Sequence, residues 1–583
     1  MIFTFVIKAP RPGGFKFVFE NYNIVFFKHK THFNRGEKNH KNFCNFLKVC
    51  AIIINRMGKI ARYLNQLTIG NVFDTPDIIE AYSTDRSVLK IKPKFVALPE
   101  STEDIRKLMR FCYQLAAKGI RIPVTVRGSG LDEVGADLGN GLVVSMEKLN
   151  RLMESDKRER LVRVQAGITL RELNTALSLN GMTIPVGGHD NDTIGSLIAS
   201  CPTDDFAGKY GGIMNYVDRM EVVLANGDII QTERFKKSSA KRKGFEKTLE
   251  GSIYSKLPQI IEKNQALINK IRAESHGSHG YPSVVLVRNK STYDLLPLFF
   301  GSEGTLGIIT EVILRAVPIV KQNARAVATF EDFQTAQKFL DLANSLRPRE
   351  LELYDIRIIR SAQETGKRLS EITKDLKTGY VVFARFDHKN KKCMRKLGSI
   401  RKVLPKGSQL ILESSKNLVA LNEFENSLTS FLNQARTGER VPLVTDFYLP
   451  SSHLQNFLND LTILETSLKM ELALFGSYSS SNYSLRPKFN VADKEFSKKA
   501  VTFLRTGAFV INRQGGSLTG GGPEGRVKAI ITNATMTEEE QKMYTDIKTL
   551  FDRYNILNPD IKLGADAGFT LRHFRDDAGK ISL

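Results

Sequence analysis

Between Pro93 and Pro318 the chain alternates short β-branched runs, amphipathic stretches and glycine-rich turns. Phe95-Val96-Ala97 predicts a strand that ends at Pro99. Ser101 and Asp104 then form a helix-start signature before Ile105, Leu108, Cys112 and Leu115, which recur at helical spacing, and Gly119 predicts the stop. Ile120 to Val126 reads as a β-branched strand running into Arg127-Gly128-Ser129-Gly130. Leu142 to Ser145 and Leu161 to Gln165 read as further strands. Thr169 with Glu172 makes a capping box for a helix that carries Leu170, Leu173 and Leu177 on one side. The strand Arg219 to Ala225 closes on Asn226-Gly227-Asp228, a hairpin signal.

The chemistry begins at the glycines. In Arg127-Gly128-Ser129-Gly130 they permit φ > 0 and let successive N–H groups converge on an anion. A Rossmann or P-loop turn opens directly into a helix. Here Gly135 and Gly139-Asn140-Gly141 lead instead into a strand, so the loop alone also fits two ligand-free hairpin turns. Later stretches add weight. They are Gly181 to Pro185, Thr193 to Ser200, Lys209-Tyr210-Gly211-Gly212 and Phe300-Gly301-Ser302-Glu303-Gly304-Thr305-Leu306-Gly307-Ile308-Ile309-Thr310-Glu311.

A length of 583 residues predicts two or three domains, and 42% hydrophobic with 25% charged residues is ordinary for a soluble globular protein. No apolar run approaches the ~20 residues of a membrane-spanning helix, and no stretch near the start reads as a signal peptide. Cys44, Cys50, Cys112, Cys201 and Cys393 are scattered without CxxC spacing, which argues against an iron–sulfur cluster or zinc ribbon and fits a reducing cytoplasm. The net charge of +23 invites a nucleic-acid reading. Residues 1–56 alone hold ten Lys or Arg against two Glu, and Lys236, Lys237, Lys241, Arg242 and Lys243 form a second cluster that reads as a surface loop. No basic-plus-aromatic module for stacking bases accompanies them, so a solvated basic surface is favoured over nucleic-acid binding. Residues 1–56 are rich in Phe, Lys, Asn and Ile without periodicity. They read as translated sequence upstream of a start at Met57, or else as a basic, aromatic arm for a membrane surface. They are set aside from the fold argument.

The ordered glycine and strand motifs resemble the FAD-binding domain of the vanillyl-alcohol-oxidase-like, PCMH-type flavoproteins, especially their branch of D-lactate dehydrogenase and glycolate oxidase FAD-linked subunits. GSEGTLGIITE at 301–311 is the most specific piece, and the resemblance resumes in the C-terminal third, including Asn558-Pro559. It implies an α+β fold with a two-subdomain PCMH-type FAD-binding domain, an α+β ferredoxin-like cap domain and a C-terminal segment returning to the FAD domain. The implied boundaries are a lead-in at 57–91, the FAD domain at 92–318, the cap at 319–540 and the returning segment at 541–583. It further implies a non-covalent FAD. Arg127, Gly128, Ser129, Gly130 and Leu131 would cradle its pyrophosphate. Pro185, Thr193, Ile194, Gly195 and Ser196 would line the flavin, with Tyr210 and Gly211 beside it. Glu303, Gly304, Gly307 and Ile309 would surround the adenosine and ribityl portions, and Asn558 would contribute from the C-terminal segment. Two departures stand out: Gly195-Ser196 replaces the family's Gly pair, and Asp132-Glu133 follows the pyrophosphate loop. Two carboxylates there would repel a diphosphate unless they turn away or meet a cation.

The cap departs further. The family carries two metal-ligand histidines flanking a Gly-Asn pair and a later Glu-His pair that adds a ligand and a base. Here the matching positions hold Ser477, Ser484, Gly521 and Gly522, while Asn482, Arg486 and Pro487 are retained. Serine hydroxyls make a poor divalent site and glycine takes no proton, so no metal is expected. Asn482 and Arg486 are the remaining catalytic candidates. His189, His453, Tyr478 and Tyr483 are the substitutes considered for the base. The resemblance thus implies oxidation of a small alcohol or hydroxy acid, with hydride passing to flavin N5. It leaves the acceptor open between a quinone and a separate iron–sulfur subunit. A cytoplasmic location follows, at most peripheral to the inner face of the membrane. A flavin-binding subunit with little catalysis of its own, and a basic-surface binder of nucleic acid or anionic membrane, are the alternatives.

Overall fold

A computed structural model describes residues 18–20, 23–25 and 58–575, apart from 275–278, 290, 321–323, 365, 367–368, 374–375, 377, 388–394, 396–398, 400–403, 405–407, 415, 433–439, 490–492 and 494. The chain divides into two compact units, 1–58 and 59–583. In the first, strands Val18–Glu20 and Asn23–Val25 pair antiparallel, each too short for alternation to show in sequence. The rest of 1–56, and with it Cys44, Cys50 and Cys393, lies outside the described residues.

Within the second unit, three sheets organise the chain. The first holds Asn71–Phe73, Phe95–Leu98, Leu142–Ser145 and Val124–Arg127 in that spatial order, the last three parallel. The predicted strand from Ile120 starts only at Val124, because Pro123 lacks the N–H that would extend the ladder. The second is a five-stranded antiparallel sheet in which Ile308–Arg315 runs between Val217–Val223 and Leu161–Gln165. The expected helices cover them. Ser101 caps Thr102–Ala117 by accepting from Asp104 N, and Thr169 with Glu172 completes the capping box of Leu170–Ser178. The basic cluster is not a loop. Lys236 ends a strand and Lys237–Lys243 is a helix, whose Lys243 reaches back over the rings of Phe235 and Tyr254.

The third sheet is seven-stranded and antiparallel, in the order Gln409–Leu412, Ala324–Phe330, Tyr380–Phe386, Glu350–Asp355, Leu472–Ser477, Asn482–Pro487 and Val444–Tyr448. Its first four strands in chain order thus lie 4-1-3-2 across the sheet, a ferredoxin-like arrangement. Alternate residues of these strands face helices Phe333–Ser345, Leu454–Leu468 and Phe496–Arg513, which supply Phe339, Phe457 and Phe503 to one core. The α+β class holds throughout. Separately, Met543, Tyr544, Ile547 and Phe551 of helix Glu538–Phe551 pack into the core beneath the first two sheets. Ile556 O then accepts from Val124 N at 2.7 Å and Asn558 N donates to Val124 O at 2.8 Å, so the returning chain flanks the strand that leads into the glycine loop. Among the described residues no helix is long and apolar enough to cross a membrane.

Candidate functional site

A cavity of about 420 Å³ opens where the first two sheets meet the third. Gly128, Ser129, Gly130 and Leu131 line it from the loop after Val124–Arg127, Thr193, Gly195 and Ser196 from the start of helix Ile194–Ser200, and Glu303, Gly304, Gly307 and Ile309 from the 301–311 segment. Asn482 and Arg486 reach it from the third sheet. Pro185, Ile194, Tyr210, Gly211, Arg127 and Asn558 are not among its walls. The reasons are physical. Ile194 is fully buried in the hydrophobic core. Arg127 turns its guanidinium to Thr84 O at 2.9 Å and over the Tyr82 ring. Tyr210 OH bonds Asp387. Asn558 is a strut, accepting from Thr125 Oγ1 at 3.1 Å and donating to Ala136 O and Glu303 O.

Close approach explains the glycines. A Cβ on Gly128 would lie 2.7 Å from Thr193 Oγ1, and one on Gly195 2.9 Å from the Ala166 Cβ. The parallel ladder ends at the pair Arg127–Ser145, so the N–H groups of Gly128 to Leu131 lie beyond it and can serve an anion. The loop, the Thr193-capped helix start and the 301–311 segment therefore form one glycine-walled cleft.

The two carboxylates after the loop are both engaged. Asp132 Oδ2 accepts from Val134 N at 3.1 Å and Ala136 N at 2.6 Å. Glu133 pairs with Arg486 at 2.6 Å. Burial, then the nearby Asp137, pushes Asp132 up to about 8. Asp85 is also raised, by burial and then by Asp137 and Asp132. These three carboxylates could reach one ion. Arg127 Nη1 lies 3.6 Å from Asp137 and supplies positive charge there. A protonated Asp132 tolerates a diphosphate and an ionised one repels it, so FAD affinity should weaken as pH rises through about 8. Fluorescence titration of flavin binding across that range checks this, and Asp132→Asn should flatten the dependence.

Toward the third sheet the side chains change character. Asn482 Nδ2 donates to Thr203 O at 2.6 Å, so this residue holds the 203–205 segment in place. Ser484 Oγ accepts from Asp446 N at 3.0 Å. Asp446 sits at φ 49°, and its carboxyl fills the space beside residue 522, where a Cβ would lie 2.6 Å from Asp446 Cβ. A Cβ on Gly521 would lie 2.3 Å from Asn482 Oδ1. The glycines at 521 and 522 are thus required by what now occupies the site. Of the substitute bases, only His189 reaches the cavity. His453 Nδ1 is 2.8 Å from Gln514 O. Tyr478 OH donates to Asp341, Tyr483 OH bonds Ser451, and burial raises both phenols further.

Arg86, Asp205, Tyr354 and Asp446 also line the cavity. Arg86 comes from the lead-in, where its N donates to Asp132 O at 2.9 Å, and burial weakens its hold on its proton. Nothing in the local run Ser83 to Ser87 marks it in sequence.

Comparison with known proteins places these features. Residues 93–233 match the model of an FAD binding domain, and residues 319–561 match that of the C-terminal domain of FAD linked oxidases. The chain is 24% identical over 505 residues to a D-2-hydroxyglutarate dehydrogenase of Pantoea ananatis strain AJ13355, covering 82% of this chain but 48% of that protein. It is 23% identical to a D-lactate dehydrogenase of Anaerostipes hadrus, covering 83% and 92% of the two chains. It is 24% identical to glycolate oxidase subunit GlcD of Bacillus subtilis strain 168, covering 82% and 90%. The chain therefore spans about half the length of the first of these relatives. Among solved structures, 4-ethylphenol oxidase from Gulosibacter chungangensis shares the fold with a TM-score of 0.59 at 15% identity, over 84% of this chain and 94% of that one.

Proposed function

Because this chain belongs to the PCMH-type FAD-linked oxidoreductases and takes FAD as its cofactor, we propose that it oxidises the CH–OH group of a small alcohol or 2-hydroxy acid. The observation that carries this reading is the single cavity shared by the glycine-walled cleft and by Arg86, Arg486 and Asn482. FAD supplies a two-electron acceptor when bound. Gly128 to Leu131 would hold its diphosphate, with Thr193, Gly195 and Ser196 beside the ring and Gly304 and Gly307 along the remainder. Arg86 and Arg486 are the cations at hand for a substrate carboxylate, provided Glu133 releases Arg486. The flavin is held without a covalent bond, because no histidine lies between Arg121 and Ser145.

The metal-assisted route is not used. Ser477, Ser484, Gly521 and Gly522 replace the four groups it needs, and Asp446 and Asn482 occupy the space that side chains at 521 and 522 would fill. Acid precipitation should release FAD into the supernatant, identified by mass, and metal analysis should find no stoichiometric divalent ion. D-lactate, glycolate and D-2-hydroxyglutarate, offered anaerobically within a wider panel of alcohols and sugars, would then identify the substrate by flavin bleaching. Rapid bleaching by D-lactate that a chelator abolishes would defeat this reading of the cap. The pairing of Glu133 with Arg486 favours a second reading, a flavin-binding subunit of low turnover. Failure of the whole panel to bleach a yellow protein would select it. The electron acceptor, a quinone or a separate iron–sulfur subunit, belongs to the same proposal, as does a location at most peripheral to a membrane.

A further inference from the structure

Loss of the family's histidine base leaves the reaction without a proton acceptor, and the cavity contains several groups that could take its place. Most are already committed. Asp204 Oδ1 accepts from Phe206 N at 2.8 Å. Asp192 Oδ2 accepts from His189 N at 2.8 Å. Asp132 is tied into its own loop. Burial raises Asp446 against the opposing charge of the buried cation Lys528, and a hydrogen bond with the Asn482 side chain already engages its carboxyl. His189 is a poor acceptor for the complementary reason. Burial, and then the Arg86 guanidinium, lower its affinity for a proton.

Asp205 differs from all of these. It lines the cavity and is exposed to it, and among the described residues no hydrogen-bond donor engages its carboxylate. The backbone that carries it is fixed on both sides. Thr203 N donates to Gly521 O at 2.8 Å and Thr203 O accepts from Asn482 at 2.6 Å. Beyond it, Lys209 and Tyr210 are both anchored on Asp387, just past the strand Tyr380–Phe386 of the third sheet. A Cβ on Gly208 would lie 2.6 Å from Ser479 O, so this segment is packed tightly against the sheet. The charged groups facing Asp205 are carboxylates: Glu350 and Glu352 from the strand Glu350–Asp355, its own neighbour Asp204, and Asp446 from Val444–Tyr448. Arg349 and Arg385 both pair with Glu350, and Arg349 also stacks over the ring of Phe206 beside Asp205. Glu352 is 7% exposed and its Oε1 has no hydrogen-bond partner.

We propose that Asp205 is the proton acceptor of the oxidation, standing in for the base that Gly522 cannot supply. The assignment rests on the oxidoreductase reading above. The substrate O–H bond breaks toward the Asp205 carboxylate. The carbon-bound hydrogen leaves with both electrons to the oxidised flavin, and the C–O single bond becomes a carbonyl. An acceptor surrounded by carboxylates gains proton affinity, which the reaction requires. Burial, then Glu350, Asp204 and Asp446, push Asp205 up to about 7. A base with that value is half ionised near neutral pH, where proton transfer in both directions is efficient.

The test uses the FAD-loaded full chain and the substrate that bleaches it fastest. Flavin reduction in the unmodified protein should rise with pH through about 7 and then level. Asp205→Asn should slow it by about 10²–10⁴-fold and abolish the pH dependence, with flavin content unchanged. Carboxyl carbon NMR of aspartate-labelled holoprotein gives a readout independent of turnover. One resonance should titrate near neutrality and vanish in Asp205→Asn. Reduction that survives Asp205→Asn undiminished overturns the assignment while leaving the oxidoreductase reading intact. So does a loss seen with His189→Asn in its place, or an Asp205 resonance titrating in the ordinary aspartate range. A holoprotein that no member of the panel bleaches defeats both.

Discussion

Glu303→Ala is expected to lower the free energy of unfolding by about 3–5 kcal/mol, measured by urea titration of the purified protein. Glu303 is 5% exposed and sits at φ 51°, a conformation that disfavours any residue but glycine. Its carboxylate offsets that strain. Oε1 accepts from Glu524 N and Oε2 from Gly525 N, both at 2.8 Å, and Lys562 Nζ lies 2.7 Å from Oε1. Lys562 also meets Glu524 at 3.0 Å, and Glu524 accepts from Gly280 N and Thr532 Oγ1. Alanine would strand two buried N–H groups and leave one ammonium shared by a single carboxylate. Glu303→Gln keeps an acceptor and should cost less. The alanine variant should also lose flavin, because Gly304 and Gly307 of the same loop line the cleft. A loss of stability no larger than that of a surface substitution would show that the network is not holding the loop.

Restoring the family's Glu-His pair as Gly521→Glu with Gly522→His is expected to destabilise the protein rather than rebuild a metal site. Overpacking a filled interior typically costs about 1–3 kcal/mol per site. Here the first added carbon meets Asn482 Oδ1 and Asp446 O at 521, and the Asp446 side chain at 522. Adding Ser477→His and Ser484→His should not help, since Ser484 Oγ would no longer accept from Asp446 N. The collision at 522 is with a side chain, so Asp446→Ala should recover part of the loss non-additively. At 521 the contacts include a backbone oxygen, and little recovery is expected. Thermal melts of the single, double and triple variants check the pattern. Stoichiometric zinc in a fully stable quadruple variant would show that the cap tolerates the family's arrangement.

The difference between what could and could not be read from sequence follows the range of the interactions. The capping box at Thr169 and the hairpin at Asn226-Gly227-Asp228 are satisfied within a few residues, and both were legible. So was the 301–311 segment, where Gly301, Glu303 and Gly304 take φ of 69°, 51° and 70°. Such a turn leaves a glycine signature in sequence. Arg86 and Asp205 left none. What gives them their setting is distant: Asn482 and Thr203 are 279 positions apart, and Glu133 and Arg486 are 353 apart. The basic cluster at 236–243 was misread for a related reason. Its lysines look solvated in sequence, yet Lys243 packs its stem on Phe235 and Tyr254 and pairs with Glu250, so part of the charge serves helix packing.

The strand Val124–Arg127 delivers the glycine loop, yet one of its edges is completed by Ile556 to Asn558, and Thr125 and Asn558 are 433 positions apart. A ribosome therefore exposes the glycine loop long before it makes the residues that fix it. The nascent chain must wait through the whole third sheet with Val124 unpaired on that side, an arrangement of high contact order that folds slowly and favours trapped intermediates. Cofactor capture is thereby expected to wait until residues 556–558 have been made. A chain truncated before Ile556 lacks this brace and is expected to retain less FAD than the longer chain, so incomplete chains should sequester less of it.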